Sequence, residues 1–291
     1  MKIGIGLPGA IPGTSPDALL EWARRADQGP FSTLALIDRL AYDSYEPMVA
    51  LGAIAAVTGR VRLMTGILLA PLRNAGMMAK QAATIDVLSG GRLTLGMAIG
   101  SRQDDYEASP APFKNRGAHF EEQLAHMKRV WAGEVLTEGA YAVGPAPVQA
   151  GGPEILIGGS APAALGRVAR WADGFITGGG GNPVRAKAAY ETVTQSWKDA
   201  GRAGAPRFVA GLTFAIGEDA IERGRANQVR YYSWMGEAAE ARAKSIPFTT
   251  EAVREVLGAL EDVGVDEVVL GPAVADLDQL DRAADIAASL A

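Results

Sequence analysis

Val61-Arg62-Leu63-Met64-Thr65-Gly66-Ile67-Leu68-Leu69, a helical segment over 75–88, a Gly90-Gly91 stop and then Leu93-Thr94-Leu95-Gly96-Met97-Ala98-Ile99 form one unit of an alternation that decides the fold. Apolar residues at consecutive positions mark strands buried on both faces, as in a parallel sheet. Glycines after the helical segment accept the left-handed conformation that ends helices. Working outward, similar apolar runs lie at 3–7, 33–37, 154–157, 174–177, 208–216 and 267–270, which makes eight. Helix starts stand between them. Ser15-Pro16-Asp17 offers an N-cap, a proline in the first turn and an acid beside it, ahead of an inner stripe of Leu19, Leu20, Ala23 and Ala26. Glu46-Pro47 opens a helix with the apolar face Met48, Leu51, Ile54 and Ala55, and Asn182-Pro183 opens another. Eight strands, each followed by a helix, predict an α/β fold, a (β/α)8 TIM barrel built as a single domain over 1–291. An open doubly wound sheet is the competitor, but it usually has fewer strands and no break in strand order is visible. The stretches 101–149 and 217–266, after the fourth and seventh strands, exceed a plain βα unit. Loops after strands build the functional face of a barrel, so these extensions predict a lid or pocket wall.

Composition narrows the function. The 291 residues carry 28 Lys and Arg against 33 Asp and Glu, a net charge of −5, with two histidines, no cysteine and 48% apolar residues. No disulfide framework, cysteine-ligated metal or cysteine nucleophile is available. The acidic balance speaks against a nucleic-acid surface. Every apolar run falls well short of the roughly 20 residues that span a bilayer. Gly and Pro follow Lys2 too early for a signal peptide. The expectation is a cytoplasmic protein acting on a small molecule, with neither nucleic acid nor membrane as partner.

Several motifs lack their context. Gly4-Ile5-Gly6-Leu7-Pro8-Gly9 matches a dinucleotide fingerprint but lies inside the first strand, where tight packing at the barrel wall explains it. Gly158-Gly159-Ser160-Ala161-Pro162 imitates a nucleophile elbow with proline in place of the last glycine, and both histidines precede it. His119 and His126 share a helix face with Glu122 between them, which reads as a Glu122–His126 ion pair rather than a metal site.

Other features keep their context. Gly158-Gly159-Ser160 and Gly178-Gly179-Gly180-Gly181 each follow a strand and precede a helix. Both bends place backbone N–H groups at the carboxyl end of a strand, which makes an anion site of the kind that holds phosphate. The plainer alternative is two tight turns with Ser160 as a helix cap. After the fourth strand, Gly100-Ser101-Arg102-Gln103-Asp104-Asp105-Tyr106 sits where barrels keep chemistry. There Arg102 can hold an anion or polarise a carbonyl, and Tyr106 can donate a proton or stack; a surface turn is the alternative. Asp38-Arg39 ends the second strand as a mouth pair or a helix-start acid. Thr65-Gly66 lies within the third strand, where glycine marks close approach by a ligand.

With these residues in place, the blocks Arg60–Asn74, Ala79–Leu93 and Leu95–Gly100 resemble the bacterial luciferase-like monooxygenase family, as do Ile155-Leu156-Ile157-Gly158-Gly159-Ser160 and Arg170-Trp171-Ala172-Asp173-Gly174. The resemblance implies a TIM barrel that is dimeric through its second and third helices, with FMN or the deazaflavin F420 in its mouth. It places the phosphate at Gly158, Gly159, Ser160, Gly178 and Gly179. It places Thr65 and Gly66 beneath the ring, with Gly100 and Ser101 flanking ring and ribityl chain. With FMN, a separate reductase would supply reduced flavin to react with oxygen, giving a monooxygenase; with F420 the reaction would be hydride transfer. FMN is the first choice. Arg39, Arg73 and Arg102 offer a basic groove that would suit the acidic tail of F420. Many relatives carry Asp-His where this chain has Asp38-Arg39. Arg39 cannot exchange protons near neutral pH, so its expected role is stabilising a negative peroxide or enolate. A non-catalytic flavin-binding barrel and a phosphate-binding lyase or isomerase are the other classes. The walls from the long insertions, with Tyr231, Tyr232 and Trp234, hint at an apolar substrate.

Overall fold

A computed structural model describes residues 1–290. In chain order the elements are β1 (Lys2–Gly6), α1 (Pro16–Gln28), β2 (Thr33–Leu36), α2 (Pro47–Ala55), β3 (Arg62–Leu69), α3 (Ala75–Leu88), β4 (Leu93–Ala98), α4 (Gln103–Ala108), α5 (Arg116–Trp131), β5 (Glu154–Gly158), α6 (Pro162–Trp171), β6 (Gly174–Ile176), α7 (Pro183–Asp199), β7 (Arg207–Phe214), α8 (Glu218–Tyr231), α9 (Ala238–Lys244), α10 (Thr250–Asp262), β8 (Glu267–Pro272) and α11 (Leu277–Ala288). The strands pair in sequence order, all parallel, and β8 closes on β1. This is the TIM barrel that the eight apolar runs predict. The longer insertions hold α4 and α5 after β4, and α8, α9 and α10 after β7.

The helix starts follow the sequence. Ser15, Glu46, Asn74, Asn182 and Thr249 each accept a backbone N–H from the first turn of their helix. Outward strand residues such as Leu34, Leu63, Leu95, Ile155, Phe208 and Leu270 pack under the helices in one continuous core. On α5, Glu122 pairs with His119 at 3.7 Å, not with the expected His126.

Side chains alternate across a strand with period two, and the inward positions fall into three layers. From the amino end upward they read Glu267-Val269-Gly271 in β8, Arg207-Val209-Gly211 in β7, Glu154-Leu156-Gly158 in β5 and Arg62-Met64-Gly66 in β3. The floor is ionic: Arg207 bridges Glu154 and Glu267, Thr94 donates to Glu154 at 2.7 Å, and Ser32 donates to Glu267. The middle layer is apolar, with Ala35, Met64, Leu156, Ile176, Val209 and Val269 in contact. In these four strands the top layer is glycine, while Ile37, just past β2, keeps a side chain at that level.

Removing one partner from a buried ion-pair network costs about 3–5 kcal/mol, because a charge is left uncompensated. Arg207 is the shared cation for two carboxylates, and the Glu267 side chain is 1% exposed. Arg207→Ala is therefore expected to lower unfolding stability by about 3 kcal/mol in urea titration. A loss below about 0.5 kcal/mol would show that the floor network adds nothing.

Candidate active site

The glycine layer leaves an open mouth at the carboxyl ends of the strands. The cavity there encloses about 960 Å³ of space, part of it open to solvent. Gly6, Gly66, Gly178, Gly179, Gly211 and Gly271 form bare walls, and Ala35, Met64, Ile67, Ile176 and Val269 supply apolar surface below and beside them. Asn227, Gln228, Tyr231 and Tyr232, at the end of α8 and just beyond, close one side. Gly6 thus borders the cavity, whereas the sequence reading assigned its motif to wall packing alone.

A register shift in β3 shapes one wall. Thr65 pairs with Leu95 but Leu68 pairs with Met97, so β3 carries one extra residue. The Gly66–Ile67 peptide is cis. Gly66 and Ile67 border the mouth, and Ile67 Cδ1 lies 2.7 Å from where a side chain on Gly158 would begin. Thr65 is fully buried and donates to Gly96 O at 2.9 Å. It does not reach the cavity.

The two glycine bends differ. At the first, Gly159 has φ +143° and Ser160 is exposed. The N-cap of α6 is Ala161, with no side-chain cap, so Ser160 is not the helix cap of the plainer reading. The Gly159, Ser160 and Ala161 amides donate to no protein group among the described residues. At the second bend, Gly180 N–H donates to Gly178 O and Gly181 N–H to Gly211 O, and Asn182 caps α7. Only Gly178 and Gly179 keep free amides there. A Cβ on Gly178 would meet nothing within 4 Å, so this residue faces open space. Donors of this kind fit a phosphate, and the flat walls fit a planar ring.

Gly178 and Gly179, like Gly66, line the cavity, whereas Gly158, Gly159 and Ser160 do not, and the remaining candidates likewise lie around it rather than on it. Asp38 is buried and takes a bidentate hydrogen bond from Arg73 at 2.6 and 3.0 Å and another from Leu69 N–H. Burial raises its pKa, and Arg73 with the Leu69 N–H works against that. Arg39 is 3% exposed and donates from Nε to Asp105 at 2.7 Å. Its guanidinium also lies 5.4 and 5.5 Å from the ring centres of Tyr42 and Tyr231. Arg102 binds Asp104 at 2.8 Å and donates to Tyr231 O at 2.8 Å. That hydrogen bond to Arg102 holds the Asp104 carboxyl below the usual range. Arg39, Arg73 and Arg102 therefore form no free basic groove, since each is matched by carboxylates. The Tyr106 hydroxyl donates to Ile99 O and its ring packs edge-on against Phe113. Burial pushes its pKa up to about 12, so it stays protonated and occupied within the protein. Gly100 accepts a hydrogen bond from Arg116 and Ser101 is exposed; neither lines the cavity.

Sequence reading missed Ile67, Asn227, Gln228 and Arg242. Gln228 Oε1 is buried with no partner, beside the cavity. Arg242 donates to the Tyr232 hydroxyl at 2.8 Å and lies over that ring, at the second bend. The layer pattern of the strands was the available signal for the glycines. On the insertion after β7, the aromatic cluster pointed to Tyr231 and Tyr232, which line the cavity, and to Trp234, which does not; no signal existed for Asn227, Gln228 and Arg242.

Fold and site together define a parallel (β/α)8 barrel with a glycine-lined mouth and free amides at two neighbouring bends. The chain belongs to the luciferase-like monooxygenase family, whose model matches residues 1–288. It is 32% identical over 187 residues to an uncharacterised protein of Mycobacterium tuberculosis, covering 54% of this chain and 64% of that one. It is 30% identical over 214 residues to the phthiodiolone/phenolphthiodiolone dimycocerosates ketoreductase of Mycobacterium bovis, covering 69% and 56%. The chain thus spans less than two thirds of the length of these relatives. The fold matches that of a monooxygenase from Streptomyces bottropensis, with TM-score 0.77 and 23% identity over 99% of this chain and 97% of that one. It also matches coenzyme F420 dependent tetrahydromethanopterin reductase from Methanopyrus kandleri, with TM-score 0.73 and 20% identity over 98% and 97%. No described helix is long and apolar enough to cross a membrane.

Arg39 and Asp105 make a testable pair. Residues in one buried ion pair couple by about 0.5–3 kcal/mol in a double-mutant cycle. Arg39→Ala, Asp105→Ala and the double variant are expected to give a coupling above about 1.5 kcal/mol in urea unfolding. Additive losses would mean that the contact holds nothing together.

Proposed function

We propose that this protein is an oxidoreductase that uses a flavin-type cofactor to act on a small apolar organic molecule. The reading rests chiefly on the bare glycine layer with free amides above it. FMN is the first choice, with oxygen as co-substrate and a separate reductase as the source of reduced flavin. The pairing of Arg39, Arg73 and Arg102 with carboxylates supports it, because no groove of free cations there awaits a polyacidic tail. F420-dependent hydride transfer is the second reading, favoured by the ketoreductase name of one relative and by the exposed Ser160, past which a longer tail can leave the mouth. Bound in the mouth, such a ring supplies the redox chemistry, oxygen activation with reduced FMN or hydride transfer with F420.

In this reading Gly159, Ser160, Gly178 and Gly179 hold the phosphate through backbone N–H groups, with Gly158 giving the close packing beneath them. Gly66 and Ile67 support the ring. Tyr231 and Tyr232 exclude water from its open side, and the unpartnered Gln228 amide orients the substrate through a hydrogen bond. Burial pushes the Tyr231 pKa up, so its hydroxyl remains protonated. Asp38, Arg39 and Arg102 are positioning residues: they lock the loops after β2 and β4 and fix the Tyr231 main chain. Gly100 and Tyr106 brace the loop after β4, and Thr65 ties β3 to β4.

Titration with FMN, reduced FMN and F420, read by fluorescence, is expected to show saturable binding of at least one. Gly178→Val should fold normally, since its Cβ meets nothing within 4 Å and its φ is not left-handed. It should weaken binding at least about tenfold, as lost contacts of about 1.4 kcal/mol would. No binding by the wild-type protein, or full binding by the variant, would refute the reading.

We also infer a homodimer through α2 and α3. Val49, Met77, Val87 and Leu88 are large apolar residues left exposed on those helices. Light scattering is expected to give about twice the 30.3 kDa chain mass. A species at the chain mass at micromolar concentration would contradict it.

A further inference from the structure

Arg242 lies in the last turn of α9, in the insertion after β7, far in sequence from the glycine bends. Its Nη1 lies 3.4 Å from where a Cβ on Gly180 would sit, so the guanidinium rests against the second bend. The ring of Tyr232 supports it, 4.1 Å from guanidinium carbon to ring centre, and Nη2 donates to the Tyr232 hydroxyl at 2.8 Å. That is the only hydrogen bond of the guanidinium among the described residues, and Nε is buried with no partner. Arginine is always charged, and a cation with an unused buried donor is costly unless something answers it. Nearby groups do not. Tyr232 is a neutral phenol, and the neighbouring Gly178 and Gly179 offer amide donors, which also call for an anion.

We propose that Arg242 is the cation of the anion site at the second glycine bend, and that it takes the phosphate of the cofactor tail. This rests on the flavin-type reading above. The bends alone provide neutral dipoles; Arg242 adds a full charge and a planar donor pair suited to phosphate oxygens. Its stacking on Tyr232 links the tail site to the wall beside the ring. Binding the tail would then order the end of the insertion that closes the mouth, through groups that touch each other. An anionic group on the substrate is the rival occupant, and the test separates the two.

The experiment measures dissociation constants of wild type and Arg242→Ala for FMN and riboflavin, and for F420 and its phosphate-free deazaflavin core. A lost charge-assisted hydrogen bond corresponds to about a 10- to 100-fold weakening. That loss is expected for the phosphorylated ligands, while the phosphate-free rings change less than about twofold and Arg242→Lys recovers part of the affinity. Equal weakening of both kinds of ligand would overturn the proposal, since Arg242 would then act only by shaping the Tyr232 wall. Unchanged affinity for all four would overturn it as well. Inorganic phosphate, read as a rise in Tm, is the independent probe. A rise in wild type that is lost in Arg242→Ala, with no flavin bound by either, would keep an anion site but sink both the cofactor assignment and the flavin-type reading.

Discussion

An eight-stranded barrel is barely wide enough for its own side chains, so a ligand can enter only where side chains are missing. Here they are missing in one layer. Charged residues fill the floor, Ala35, Met64, Leu156, Ile176, Val209 and Val269 fill the middle, and glycines form the top. The lower layers stabilise the fold, and the top layer opens it. Free amides lie just past that level, where β5 and β6 end and the sheet ladder no longer uses the N–H groups of Gly159, Ser160, Gly178 and Gly179. Shape and polarity of the site thus come from neighbouring parts of the same strands.

Arginines often mark a site by supplying free charge, but three near this mouth do something else. Arg39, Arg73 and Arg102 are each answered by aspartates, and Arg102 also holds the main chain of Tyr231. They fasten the segment after β2, the turn after β4 and the end of α8 to one another. The consequence is that these three charges are matched within the rim itself. Arg242 differs because its guanidinium meets a phenol and a glycine bend instead of a carboxylate.

Much of this was legible in the sequence. Consecutive apolar residues gave all eight strands to within a residue or two, because strands covered on both faces have few alternatives. Proline and cap residues located α1, α2 and α7 for local reasons that need no tertiary knowledge. The bends at Gly158 and Gly178 were also visible, since a strand, a glycine run and a helix start lie side by side in the chain. What was hidden depends on distant contacts. Nothing near Arg39 announces Asp105, and their pairing removes the cation from the cavity. Tyr106 looks available in its turn until the fold buries its hydroxyl on Ile99. Gln228 and Arg242 lie on the insertion after β7, and only the folded chain brings Gln228 to the cavity and Arg242 against the second bend. The three-layer repeat was present in the strands, but the glycine positions gain meaning only once all inward faces are aligned.

A crystal structure of the protein with a flavin-type cofactor bound addresses the central claim most directly. The account predicts a planar ring seated against Gly66 and Ile67, with its phosphate within hydrogen-bond distance of the amides of Gly159 or Ser160 and Gly178 or Gly179. A ring held elsewhere, or a tail that avoids both bends while those amides turn to protein acceptors, would contradict it.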